Sequence, residues 1–87
     1  MREWKVILHK IEYKETWSEE AYTVTENKTV NFRFESRLEA ITYICSLDYT
    51  KVSPYSENAY LEWDENGTID VKIDTDFAMY FFKITEW

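Results

Sequence analysis

Eighty-seven residues hold one domain with a modest core and exclude two. A hydrophobic content of 45%, with five Phe, seven Tyr and four Trp, excludes a disordered chain, and a single Gly and a single Pro leave little room for long flexible loops. The net charge of −7 disfavours nucleic acid and anionic membrane as direct partners and favours basic ones, with plain solubility as the alternative explanation.

The charge is segregated. Residues 1–55 carry nine acids against eight bases, for −1, whereas residues 56–87 carry eight against two, for −6. Cys45 is the only cysteine, so an intrachain disulfide is impossible and a reducing compartment fits best. The segment Met1-Arg2-Glu3-Trp4-Lys5 lacks the apolar core of a signal peptide, and no apolar run approaches the ~20 residues of a membrane span. The expected setting is the cytoplasm, without membrane contact.

In chain order, Trp4 to Tyr13 is β-branched and aromatic-rich and predicts a strand. Its alternation is broken, with Trp4, Val6 and Leu8 on one face and Ile7, Ile11 and Tyr13 on the other. Either both faces are partly covered or a bulge near His9 switches the side. Glu15 to Glu20 is a polar connection carrying Trp17. Ala21–Thr25 and Thr29–Glu35 read as a hairpin joined through Glu26-Asn27-Lys28, with Val24 opposite Val30 and Tyr22 opposite Phe32. Ser36-Arg37-Leu38-Glu39 is a capping box that opens a helix running to Leu47, with Ala40, Ile41, Ile44 and Leu47 as the stripe facing a sheet. Pro54 ends that helix before Ser53, and Asp48 to Glu57 is the longest loop.

Glu57 to Asp76 alternates apolar and polar residues on both sides of Gly67, which predicts a second hairpin. A two-residue loop at Asn66-Gly67 would pair Trp63 with Asp70 and mix apolar and charged residues on one face. A three-residue loop, Glu65-Asn66-Gly67 with Gly67 left-handed, pairs Trp63 with Ile69, Leu61 with Val71 and Ala59 with Ile73. Because a one-residue slip flips every side chain, the second register is expected, with its apolar face buried. The outer face then sets Glu62 directly opposite Asp70, a like-charge pair that folding alone does not require. Phe77 to Trp87 closes the chain as a strand apolar on both sides, its aromatic and β-branched content favouring strand over helix. The expected fold is therefore α+β, an antiparallel sheet in the order β-β-β-α-β-β-β with one helix packed on one face.

No residue pattern names a reaction. His9 and Cys45 make no nucleophile–base or metal pair, and phosphate-holding Gly-rich loops are absent. Glu62 to Asp70 offers calcium-loop oxygens at Glu62, Asp64, Asn66 and Asp70, but Ile73 stands where a bidentate glutamate belongs and strands flank the segment. No cofactor, metal or catalytic role is expected. Carboxylates on alternate strand positions lie ~6.7 Å apart, close to the spacing of phosphates along a nucleic-acid backbone. In size, acidity and lack of a catalytic signature the chain resembles the small inhibitors that phages encode against host defence, among them nucleic-acid mimics and anti-CRISPR proteins. That likeness implies a host cytoplasm as the setting. The expected function is a non-enzymatic acidic protein that occupies the basic, nucleic-acid-binding surface of a partner protein through Tyr60, Glu62, Asp64, Glu65, Asp70, Asp74 and Asp76. The alternative is a structural or assembly domain that forms a homodimer through the aromatic C-terminal strand, its acidity serving solubility.

Overall fold

The computed structural model describes residues 3–13, 22–29 and 32–87; the predicted connection from Glu15 to Glu20 lies outside them. β1 (Trp4–Tyr13) forms over the β-branched, aromatic-rich run. A bulge resolves its broken alternation, since its pairing with both neighbouring strands shifts register between Leu8 and Lys10. The extra residue reverses side-chain parity. Trp4, Val6 and Leu8 before the bulge and Ile11 after it therefore all enter one core.

β2 (Tyr22–Thr29) corrects the first predicted hairpin. The backbone runs through Glu26-Asn27-Lys28 as one strand antiparallel to β1, with Val24 opposite Ile11 and Tyr22 opposite Tyr13. Glu-Asn-Lys contains no glycine to favour a tight turn, and the long edge of β1 satisfies more backbone groups than a short local hairpin would. Of the predicted strand Thr29–Glu35, residues 30–31 lie outside the described ones, and residues 32–35 form no strand. Beyond β2, Phe34 makes only an isolated bridge to Trp4, with reciprocal backbone bonds of 3.0 and 3.1 Å. The element order among the described residues is β-β-α-β-β-β, one strand fewer than expected, and the class is α+β.

α1 (Arg37–Ser46) begins at the Ser36 cap. The Ser36 hydroxyl accepts from the Glu39 amide at 3.1 Å, while the Glu39 carboxylate reaches back to the Glu35 amide at 2.9 Å, one residue beyond the usual capping-box partner. Its buried stripe is Ala40, Ile41, Ile44 and Cys45, with Leu47 partly buried behind it. Past the helix, the buried Thr50 hydroxyl donates to the Ile44 carbonyl and the Val52 amide to the Cys45 carbonyl at 3.0 Å, so the chain's return satisfies helix-end acceptors.

β3 (Ala59–Trp63), β4 (Ile69–Asp74) and β5 (Ala78–Glu86) complete a five-stranded antiparallel sheet in the spatial order β2-β1-β5-β4-β3. β5 is a strand, as its composition predicts, and it lies at the sheet's centre between β1 and β4. That position accounts for its two apolar sides: Ala78, Phe82 and Ile84 are buried in the core, while Met79 and Phe81 are half-buried on the other face. No helix among the described residues is long and apolar enough to cross a membrane.

The β3–β4 register is the expected one, Trp63 with Ile69, Leu61 with Val71 and Ala59 with Ile73. The loop is three residues long and closes with Gly67 at φ +80°, its amide donating to the Asp64 carbonyl at 3.2 Å and the Asp64 amide to the Thr68 carbonyl at 3.0 Å. Burial departs from expectation. Ile69, Val71 and Ile73 on β4 are fully buried, but Leu61 and Trp63 on β3 are 38% and 55% exposed. The helix packs on β1, β5 and β4, and β3 lies beyond its edge.

Two aspartate substitutions on facing strands therefore separate. Ile69→Asp should abolish the cooperative thermal transition followed by circular dichroism, because an unpaired charge in the core costs several kcal/mol in a domain of roughly 4–13 kcal/mol total stability. Leu61→Asp should keep that transition, with a change of about 1 kcal/mol or less.

Candidate functional site

Among the described residues β3 is an edge strand that pairs with β4 alone. Tyr60, Leu61, Glu62, Trp63, Asp64 and Glu65 are consecutive and all exposed. Tyr60 and Glu62 project on the face away from the helix, and Leu61 and Trp63 on the helix side, as strand alternation requires. The sequence pattern predicts Leu61 and Trp63 to be buried, and the structure places both on the surface. Their alternation is that of any half-buried strand, and only the sheet order leaves them uncovered.

The predicted site residues divide into two groups. Tyr60, Glu62, Asp64, Glu65 and Asp70 gather along the hairpin. Asp74 and Asp76 lie at its other end, about 17 Å along β4 from Ile69, with Asp74 half-buried and Asp76 exposed in the turn to β5. Asp64 has a structural task, since its Oδ1 accepts from the Asn66 amide at 2.8 Å and the Thr68 amide at 3.0 Å. This holds the loop that superficially matches a calcium site, and Ile73, at the position a bidentate ligand would take, is a core residue. Among the described residues no group of three His, Cys, Asp or Glu side chains converges on a point.

Glu62 sits opposite Asp70 as expected, but the third strand changes the balance. Lys83 on β5 is the next residue in that row, and its Nζ lies 4.0 Å from the Asp70 carboxylate. Like-charge repulsion across the hairpin is thus partly offset for Asp70, whereas Glu62 has no ion pair among the described residues. The neighbouring row runs Tyr60, Lys72, Phe81, Lys10 across four strands. Lys72 lies 4.6 Å from the Tyr60 ring and Lys10 5.2 Å from the Phe81 ring, both within cation–π range. The outer face is consequently mixed rather than a continuous acidic sheet, and its open cleft of about 610 Å³ is lined by Tyr60, Phe81, Lys72 and Lys83 together with Glu62 and Asp70. Net negative charge concentrates on the β3 edge and its turn.

Arg37, the first residue of α1, ties that edge to the core. Its guanidinium lies 4.9 Å from the buried Trp4 ring and 4.7 Å from the exposed Trp63 ring, and Nη1 donates to the Gly67 carbonyl at 3.1 Å. A Cβ at Gly67 would stand 2.7 Å from Nη1. Glycine suits the left-handed backbone there, and any side chain at this position would also displace the Arg37 guanidinium.

Cys45 and His9 are far from any such arrangement in kind. Cys45 is buried on the core side of α1, and burial pushes its thiol above the ordinary value, which makes it a poor nucleophile. His9 is the exposed residue at the β1 bulge. Comparison with protein-family models, curated proteins and solved structures gave no match.

The Arg37 clamp predicts non-additive energetics. Gly67→Ala should destabilise the domain by about 1–2 kcal/mol and Arg37→Ala by about 1–2 kcal/mol. The double variant should cost clearly less than their sum, because the first change already displaces Arg37; urea denaturation of the four proteins measures this. Cys45→Ser should cost roughly 1–3 kcal/mol at neutral pH by burying a hydroxyl. The thiol's raised pKa sets the sign at higher pH. Its contribution is present below its ordinary value of 9.0 and is lost as pH rises through the folded-state value, so Cys45→Ser should show a shallower alkaline loss of stability.

Proposed function

We propose that this is a non-enzymatic acidic binding protein that docks the β3–β4 hairpin onto a basic surface of a partner protein. The observation that carries this reading is the edge strand on which Tyr60, Leu61, Glu62 and Trp63 are exposed side by side, with the exposed Glu65 carboxylate in the turn beyond it. Aromatic anchors supply binding energy in protein interfaces, and surrounding charges supply steering and discrimination between partners. The excess of −6 over residues 56–87 supports a basic counterpart.

In its specific form, the protein is an inhibitor that occupies a surface the partner uses for nucleic acid. Carboxylates at strand spacing, ~6.7 Å along β3, support this form, as does the low count of bases in the hairpin. Lys72 and Lys83 limit the mimicry to the edge and turn of the hairpin. A cytoplasmic setting fits the single buried thiol of Cys45. The aromatic C-terminal strand is less suited to dimerisation, since both backbone edges of β5 are already paired and only its outer face remains.

Pull-down of partner proteins from the source cell, with wild type and the Glu62→Lys/Asp70→Lys double variant, tests the reading. The partner should be retained by wild type, released as salt is raised because exposed charges are screened over roughly 10 Å at 0.1 M, and displaced by nucleic acid. Retention should fall with Glu62→Lys and further with the double variant. Glu62→Lys should meanwhile leave the fold intact and gain ~0.2–0.5 kcal/mol by facing Asp70 with a positive charge, a gain held down by the existing Lys83 contact. Retention that ignores salt and survives both lysines refutes the proposal.

A further inference from the structure

The hydrogen-bond phase of the β3–β4 ladder determines which backbone groups of β3 are open. The Asp64 amide bonds the Thr68 carbonyl and the Asp74 amide bonds the Asn58 carbonyl. Residues 58 and 64 are thus in bonded pairs, and antiparallel pairs alternate. Tyr60 and Glu62 therefore turn their backbone groups toward β4, and Leu61 and Trp63 turn theirs outward, to the edge that no strand among the described residues occupies. The Ala59 amide is held locally by the Ser56 carbonyl at 3.1 Å. The open edge thus presents N–H and C=O groups of the same two residues whose apolar side chains are exposed. Edges of this kind pair with further strands unless something blocks them.

We infer that β3 takes an extended basic segment of the partner as a sixth strand. This rests on the hairpin being the binding surface and names how it binds. In such a segment, residues beside Leu61 and Trp63 are apolar, and those on the opposite face, beside Glu62 and Asp64, are Lys or Arg, because directly opposed residues share a face and opposite charges there attract. The main chain supplies affinity and the alternating side chains supply selection. A second copy of the chain is a poorer occupant. The register that sets Leu61 against Trp63 of the copy also sets Glu62 against Glu62, and every register brings together two chains of charge −7.

The test uses the intact protein and a short peptide alternating valine and arginine, alongside the same peptide N-methylated at every second residue so that one edge cannot hydrogen-bond. Hydrogen exchange followed by NMR should show protection of the Leu61 and Trp63 amides on adding the plain peptide. N-methylation should weaken binding about tenfold or more. Leu61→Pro should do the same while preserving the circular dichroism spectrum, since the amide it removes faces the open edge rather than β4. Equal binding of the two peptides, still salt-sensitive and still weakened by Glu62→Lys, overturns strand addition and leaves the acidic-surface reading standing. Absence of binding by both peptides also overturns strand addition, and the pull-down then decides the broader reading. Protection of those amides in the free protein, together with a dimer mass in sedimentation, overturns it in favour of a second copy on the edge.

Discussion

One short helix must cover a five-stranded sheet, and its dimensions do not allow it. Ten residues of α-helix are about 15 Å long and ~10 Å across, while five strands span about 19 Å from first to last. α1 lies over β1, β5 and β4, the strands that bury Val6, Phe82, Ile84, Ile69, Val71 and Ile73. The remaining strand on that side, β3, leaves Leu61 and Trp63 exposed. The exposed surface of this protein follows from that mismatch rather than from any special chemistry in the hairpin.

Arg37 limits the consequence. A guanidinium between Trp4 and Trp63 joins the helix start, the core and the hairpin turn, and its bond to the Gly67 carbonyl fixes the loop. Arginine suits this position because a planar, delocalised cation stacks on two indoles and still presents an N–H to a carbonyl. The Gly67 end of β3 is thereby held in place although it is not buried. An edge strand that is held yet uncovered resembles a prepared interface, since little ordering remains to be done on binding.

The outer face carries a different balance from the one a linear reading gives. Along the chain, Glu62, Asp64, Asp70, Asp74 and Asp76 look like a run of acids beside aromatics. Across the sheet, β5 and β1 bring Lys83 and Lys10 into the same rows, and Lys72 turns onto Tyr60. Charge along a strand is visible in sequence; charge across a sheet depends on which strand comes next.

The sequence by itself determined what local physics controls. Side-chain parity with a left-handed Gly67 set the β3–β4 register, because any slip would have exposed Ile69, Val71 and Ile73. Ser36 and Glu39 set the helix start, since they satisfy amides within one turn. The interrupted alternation of β1 left a bulge or two covered faces as its explanations, and the aromatic and β-branched content of β5 favoured a strand. Only the tertiary structure decided the neighbours. Tyr22–Thr29 could satisfy its apolar alternation in a local hairpin or along β1, and the longer ladder won. Leu61 and Trp63 have the same pattern as Val71 and Ile69, yet one pair is at the edge and the other under the helix. Burial depends on sheet order and on the reach of α1, which are long-range quantities, so no local pattern in the chain encodes which apolar stripe remains outside.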